Sequence, residues 1–129
     1  LFQDAYADGG PVDIPMHILG GVAVTYFFAK TLRPVEEHLF RSENRGYALY
    51  VFFLFTCAAT SAAVWEILEF HVDLFWGTAS QKGVRDTVLD MALGLLGSTL
   101  FLVPYALIAL RKRKGMPIPA VQNNSDPEA

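Results

Sequence analysis

Three short patterns hold the residues best able to do chemistry: Asp13-x3-His17, Glu66-x2-Glu69-x3-Asp73 and Asp86-x3-Asp90. Spacings of three and four put the members of each set on one helical face. Carboxylate oxygens with one imidazole form a donor set suited to a divalent metal such as Mg, Mn or Zn, and a bound metal could activate water or polarise a phosphate ester. Without a metal, the same groups could serve acid/base chemistry, relay protons or close a polar structural network. In any of these roles the gathered carboxylates repel. Protonation, pairing with Lys82 or Arg85, or a bound cation must offset their charge.

Within the set, Glu66 and Asp90 are the candidate catalytic groups. Asp13, His17, Glu69 and Asp86 are the candidate metal ligands. Asp90 stands out because it lies a full turn further along its helix than Asp86. Asp13 before Ile14-Pro15 and Asp86 before Thr87 also read as helix N-caps, and for each taken alone capping is the simpler role. Glu66 lies nineteen residues beyond Tyr47, about 29 Å along a helix, which puts it near a membrane interface. His17 suits a helix-packing hydrogen bond as well as ligation. Trp65 and Trp76 read as interfacial aromatics, and His38 and His71 fall off the shared faces, so these four are read as structural.

The elements that must position these groups are long and apolar. Of 129 residues 53% are hydrophobic, and the mean hydropathy of +0.32 exceeds that of an ordinary soluble domain. Tyr47 to Trp65 is nineteen residues without a charge and Met91 to Leu110 is twenty, each close to the ~20 a bilayer-spanning helix needs. Met16 to Ala29 is shorter, and with Leu32 included and Lys30 snorkelling it reaches the lower limit of about 17. The expected fold is all-α, a polytopic transmembrane bundle with spans at about 16–32, 47–70 and 88–110. Residues 1–115 form its single domain and 116–129 a flexible cytoplasmic tail. The chain begins at Leu1 instead of a methionine, which leaves room for an upstream signal peptide or a further helix. The lone Cys57 sits inside an apolar stretch, where it forms neither an intrachain disulfide nor a CxxC metal site.

Basic residues set the expected orientation. Lys30, Arg33, Arg41, Arg45, Arg111, Lys112, Arg113 and Lys114 fall on one side, against Lys82 and Arg85 on the other. The N-terminus is therefore expected outside and the C-terminus in the cytoplasm of a bacterial inner membrane. Eight of the thirteen acids then share the outer end with those two bases. Residues 33–45 suit a short interfacial helix, and residues 73–85 a partly structured loop folded over the acidic cluster. Small residues on the same faces, Gly20, Gly21, Ala59, Ala62, Gly94 and Gly97, would let the helices approach and turn the polar stripes inward.

The stretch Gly77 to Met91, with its Asp86-Thr87-x2-Asp90-Met91 core, resembles the poorly characterised bacterial inner-membrane family of YjdF type, as do Asp13-x3-His17 and Trp65-Glu66-x2-Glu69. A more distant resemblance, to VanZ-like proteins, departs from their pattern in having Asp90 before Gly94 where they usually carry an asparagine. The resemblance implies an architecture more than an activity. Two functions follow: a metal-dependent or acid/base site acting on a lipid-linked or envelope substrate, or a noncatalytic subunit or helix-packing protein of a larger complex. Expected partners are the bilayer and other membrane subunits or further copies of the chain. A proton pathway would need acids spread through the membrane, and here they cluster at one end. Arg111 to Lys114, the only dense basic cluster, is explained by topology and anionic lipid, so nothing points to nucleic acid.

Overall fold

The structure, a computed structural model, describes residues 12–39 and 44–114. These residues form four helices: α1 (Asp13–Thr31), α2 (Arg33–Leu39), α3 (Asn44–Trp76) and α4 (Val84–Lys114). The polar lead, residues 40–43 of the first connection and the expected tail lie outside the described residues.

The all-helical expectation holds, and every long helix exceeds its expected span. The 33 residues of α3 rise about 50 Å, well beyond a bilayer core of about 30 Å. Their polar ends therefore project past the apolar slab or the helix tilts. Over Arg45–Trp76 and Val84–Lys112 the chain is long and apolar enough to cross a membrane, and only 17% and 22% of the two most apolar windows are buried within the protein. Side chains such as Leu19, Phe27, Phe52, Leu100 and Leu107 are more than half exposed. That outward apolar surface is what a lipid-facing bundle presents. In α1, 19 residues long, Asp13, His17 and Lys30 dilute the hydropathy, and α3 and α4 alone among the described helices are long and apolar enough to cross a membrane.

Local chemistry explains the breaks. Pro34 lacks an amide hydrogen and cannot continue the ladder of α1, so the chain turns at Leu32, whose carbonyl receives the amides of Val35 and Glu36. Gly77, at φ 64°, closes α3 with its amide donating to the Asp73 carbonyl, the left-handed cap that glycine adopts without a side-chain clash. Gly83, at φ 125°, turns the chain into α4, where its carbonyl accepts from the Thr87 amide.

The packing sets the topology. α1 and α4 share the largest interface and run parallel: His17 lies beside Asp90 at one end, and the Tyr26 and Phe101 rings meet 6.0 Å apart further along. α3 runs antiparallel to both, with Ala62 against Gly94 and the Tyr50 hydroxyl donating to the Ala29 carbonyl at 3.3 Å. The beginnings of α1 and α4 thus meet the end of α3. The buried core of Ala29, Tyr47, Tyr50, Leu54 and Leu102 lies toward the opposite end of the bundle.

Candidate functional site

Where the N-terminal ends of α1 and α4 meet the C-terminal end of α3, the bundle opens into a cavity of about 1120 Å³. Helix faces carrying small residues make room for it: Gly20 and Gly21 on α1, Ala58, Ser61 and Ala62 on α3, and Gly94 on α4 all line it. The α3 face differs by one position from expectation, since Ala58 and Ser61 line the cavity in place of Ala59. Residues 77–80 and Lys82 of the α3–α4 loop also form part of its wall, in agreement with a loop folded over the acids, although the loop is shorter than the expected 73–85 because α3 continues to Trp76 and α4 begins at Val84.

The loop is tied to the bundle by Asp73, one turn beyond Glu69. Its carboxylate accepts from the Thr78 hydroxyl and from the amides of Ser80 at 2.9 Å and Gln81 at 2.7 Å. Gln81 reaches on to the Thr87 hydroxyl, donating through Nε2 at 2.8 Å. One side chain of α3 thereby fixes most of the segment leading into α4.

Three of the six expected site residues converge in the cavity. His17 Nε2 lies 3.5 Å from Asp13 Oδ1 and 3.6 Å from Asp90 Oδ1, and one donor atom from each of the three falls within 4.8 Å of the others. Asp90 is only 5% exposed. Two carboxylates bridged by an imidazole give a compact set of two oxygens and one nitrogen, the donor chemistry expected of a divalent metal site. The capping role for Asp13 does not hold. α1 begins at Asp13 itself, Val12 occupies the N-cap position, and no side chain caps the helix, so the Asp13 carboxylate turns to His17 one turn along.

The fourth residue, Glu66, also lines the cavity but stands apart from the three-residue donor group. It is 5% exposed, and its Oε2 is buried without a hydrogen-bond partner. A buried carboxylate oxygen left unpaired is destabilising unless something else occupies its environment.

Glu69 and Asp86 are otherwise engaged. Glu69 Oε1 accepts from Trp65 Nε1 at 2.9 Å, still on the cavity wall. Asp86 Oδ2 accepts from the Lys82 amide at 3.1 Å, an amide ahead of the helix; because α4 begins at Val84, Asp86 is the third residue of its first turn, and the N-cap expectation does not hold for it either. The ion pairs among the described residues are His17 with Asp13 and Asp90, and Arg33 with Glu37; Lys82 reaches the cavity wall without pairing with an acid.

Sequence reasoning missed Trp65, read as an interfacial ring, and Ser61. The signal lay in their spacing: Ser61, Trp65 and Glu69 recur every four residues on one stripe of α3. His71 keeps its structural role, with Nδ1 2.7 Å from the Ile67 carbonyl and its ring stacked on Phe75.

Residues 8–112 match a family model described as predicted membrane protein, DUF2238. An uncharacterized protein of Thermotoga maritima is 35% identical over 101 residues, covering 78% of this chain and 48% of that protein. The chain thus spans about half the length of this curated relative. No solved structure matches. The family match is consistent with the YjdF-type resemblance, while the VanZ-like one gains no support from these matches.

Proposed function

Given that the chain belongs to the DUF2238 family of predicted membrane proteins, we propose that its acidic cavity is a divalent-metal site acting on a lipid-linked or envelope substrate. Asp13, His17 and Asp90 hold the metal, and Glu66 acts as the acid/base group beside it. The observation that carries this reading is the pairing of two features in one cavity: a donor triad within 4.8 Å, and an unpartnered, buried Glu66 oxygen on the same wall. Compared with the sequence expectation, Asp90 moves from catalyst to ligand, and Glu69 and Asp86 become positioning groups. A metal between Asp13, His17 and Asp90 would offset the carboxylate charge, polarise a phosphate or acyl oxygen and lower the proton affinity of a bound water. Glu66, on the wall of the same cavity, would supply the acid/base group for that chemistry. A cavity of about 1120 Å³ exceeds the need of a bare ion and leaves room for a polar head group.

In this reading α1 is a third span, since its parallel packing with α4 places both N-terminal ends on one side. The basic residues then put that side, with its cavity, outside the cytoplasm, in a bacterial inner membrane.

The test is metal content by mass spectrometry on detergent-purified protein. Wild type is expected to carry stoichiometric metal, and both Asp90→Ala and His17→Ala to lose it while remaining folded. Folded wild type that carries no metal and copurifies with another membrane subunit would overturn this reading in favour of a noncatalytic packing role.

A further inference from the structure

The other end of the bundle carries a second cavity, of about 490 Å³, between α1 and α4. Its charge is of opposite sign. Lys30 from the last turn of α1, Arg33 from the start of α2 and Lys112 from the end of α4 line it, against the single carboxylate of Glu36. Three helices thus bring three cations to one gap.

Two of the cations have neighbours that hold them. Lys30 Nζ lies 5.7 Å from the centroid of the Tyr26 ring, within cation–π range, which keeps the ammonium beside the cavity wall. Arg33 meets Glu37 Oε1 through Nε at 3.2 Å, so the terminal amino groups of its guanidinium remain as donors for another oxygen.

The rest of the lining is apolar and reaches the outer surface of the bundle. Phe101, Ile108 and Ala109 continue the wall, and Ile108 and Tyr26 are 54% and 52% exposed on a bundle whose outward apolar side chains meet lipid. A free inorganic anion would use the three cations and none of this apolar surface. A phospholipid uses both, its phosphate at the charged rim and its acyl chains along the helices.

We propose that the cavity framed by Lys30, Arg33 and Lys112 binds the head-group phosphate of an anionic phospholipid that enters laterally between α1 and α4. Basic pockets between transmembrane helices recognise anionic head groups by this combination of charge and adjoining hydrocarbon surface. The site is independent of the metal cavity at the opposite end.

Native mass spectrometry of the full-length protein, taken from nanodiscs of phosphatidylcholine mixed with phosphatidylglycerol, reads the retained lipid directly. Wild type is expected to keep phosphatidylglycerol in preference to phosphatidylcholine. The triple variant Lys30→Gln, Arg33→Gln, Lys112→Gln should bind phosphatidylglycerol about a hundredfold more weakly, as expected for the loss of three near-surface bases. A Lys30→Arg, Lys112→Arg variant should retain it, which separates lost charge from lost fold. Arg45→Gln with Arg111→Gln, two bases outside the cavity, should leave retention unchanged. Equal retention by the triple variant would overturn the proposal, as would an equal loss from the Arg45, Arg111 control, which would mean diffuse attraction. Displacement of the lipid by inorganic phosphate would overturn it too, by identifying a soluble anion as the ligand.

Discussion

Gly21 of α1 and Gly94 of α4 meet backbone to backbone, so that a Cβ on Gly21 would overlap the Gly94 carbonyl oxygen. His17 and Asp90 each lie four residues before these glycines, one turn nearer the open end. The approach that brings the two backbones together therefore also brings the imidazole to the carboxylate.

Alanine at Gly21 should force α1 and α4 apart. The same holds at Gly97, where a Cβ would overlap the Ile18 carbonyl oxygen. Because the obstruction in both cases is backbone, which cannot swing aside, each substitution should cost about 1–3 kcal/mol, the usual cost of overpacking. Gly20 has nothing within 4 Å of its Cβ position, so Gly20→Ala should stay within about 1 kcal/mol of wild type. Thermal unfolding in detergent checks the contrast. Equal losses at Gly20 and Gly21 would remove the close-packing account.

Much of this arrangement was legible from residue spacing. Uninterrupted apolar runs announce α3 and α4, and the three- and four-residue spacings place Asp13 with His17 and Glu66 with Glu69 on common faces. The meeting of Asp13, His17 and Asp90 follows from topology, because two antiparallel traverses, along α1 and back along α3, return the chain to the end of the bundle at which α1 began. The allocation of the remaining acids was not legible. Whether Asp86 bonds a loop amide and Glu69 an indole depends on a helix beginning two residues before Asp86 and on which side of α3 Trp65 faces. These are tertiary outcomes that composition and periodicity leave undetermined. The overlong helices have a simpler cause: hydropathy detects the apolar slab, and helical hydrogen bonding continues past it until Gly77 or Pro34 intervenes.

The two acids of the Asp86-x3-Asp90 pattern should separate cleanly on mutation. Asp86 accepts from the Lys82 amide, so Asp86→Ala should lower stability by about 1 kcal/mol, in the range of a lost hydrogen bond, and leave metal content intact. Asp90→Ala should lower metal affinity by at least about tenfold. Isothermal titration with the metal, alongside thermal unfolding, gives both readouts. A metal loss as large in Asp86→Ala as in Asp90→Ala would show that both acids ligate.

Asp73 holds the cavity loop by accepting from Thr78, Ser80 and Gln81. Asp73→Ala should free that segment while α3 and α4 stay folded, since the substituted side chain lies outside the helix–helix interfaces. Hydrogen exchange followed by mass spectrometry should show faster exchange of the Ser80 and Gln81 amides, with the amides of the Gly94 region unchanged. Protection at Ser80 and Gln81 that survives the substitution would mean that the loop is held by something other than Asp73.

Glu66 offers the sharpest separation between a catalytic and a structural carboxylate. A structural acid is stabilising where it stands, and its removal lowers the unfolding temperature. Glu66 instead keeps a buried oxygen without a partner, which opposes folding and persists where function requires it. Glu66→Met, similar in volume and apolar, should therefore raise the stability of the metal-free protein by about 1 kcal/mol or more. It should keep the metal, because the Asp13, His17 and Asp90 donors are untouched, and lower turnover by about 10²–10⁴-fold, the usual contribution of an acid/base group. Glu66→Gln should show the same loss of turnover with a smaller gain in stability, since the amide is still polar. Unfolding followed by intrinsic Trp65 and Trp76 fluorescence, metal analysis and hydrolysis of lipid phosphates give the three readouts. A Glu66→Met protein less stable than wild type would identify Glu66 as part of the polar packing of the bundle, and the search for the proton-transferring group would move to Glu69.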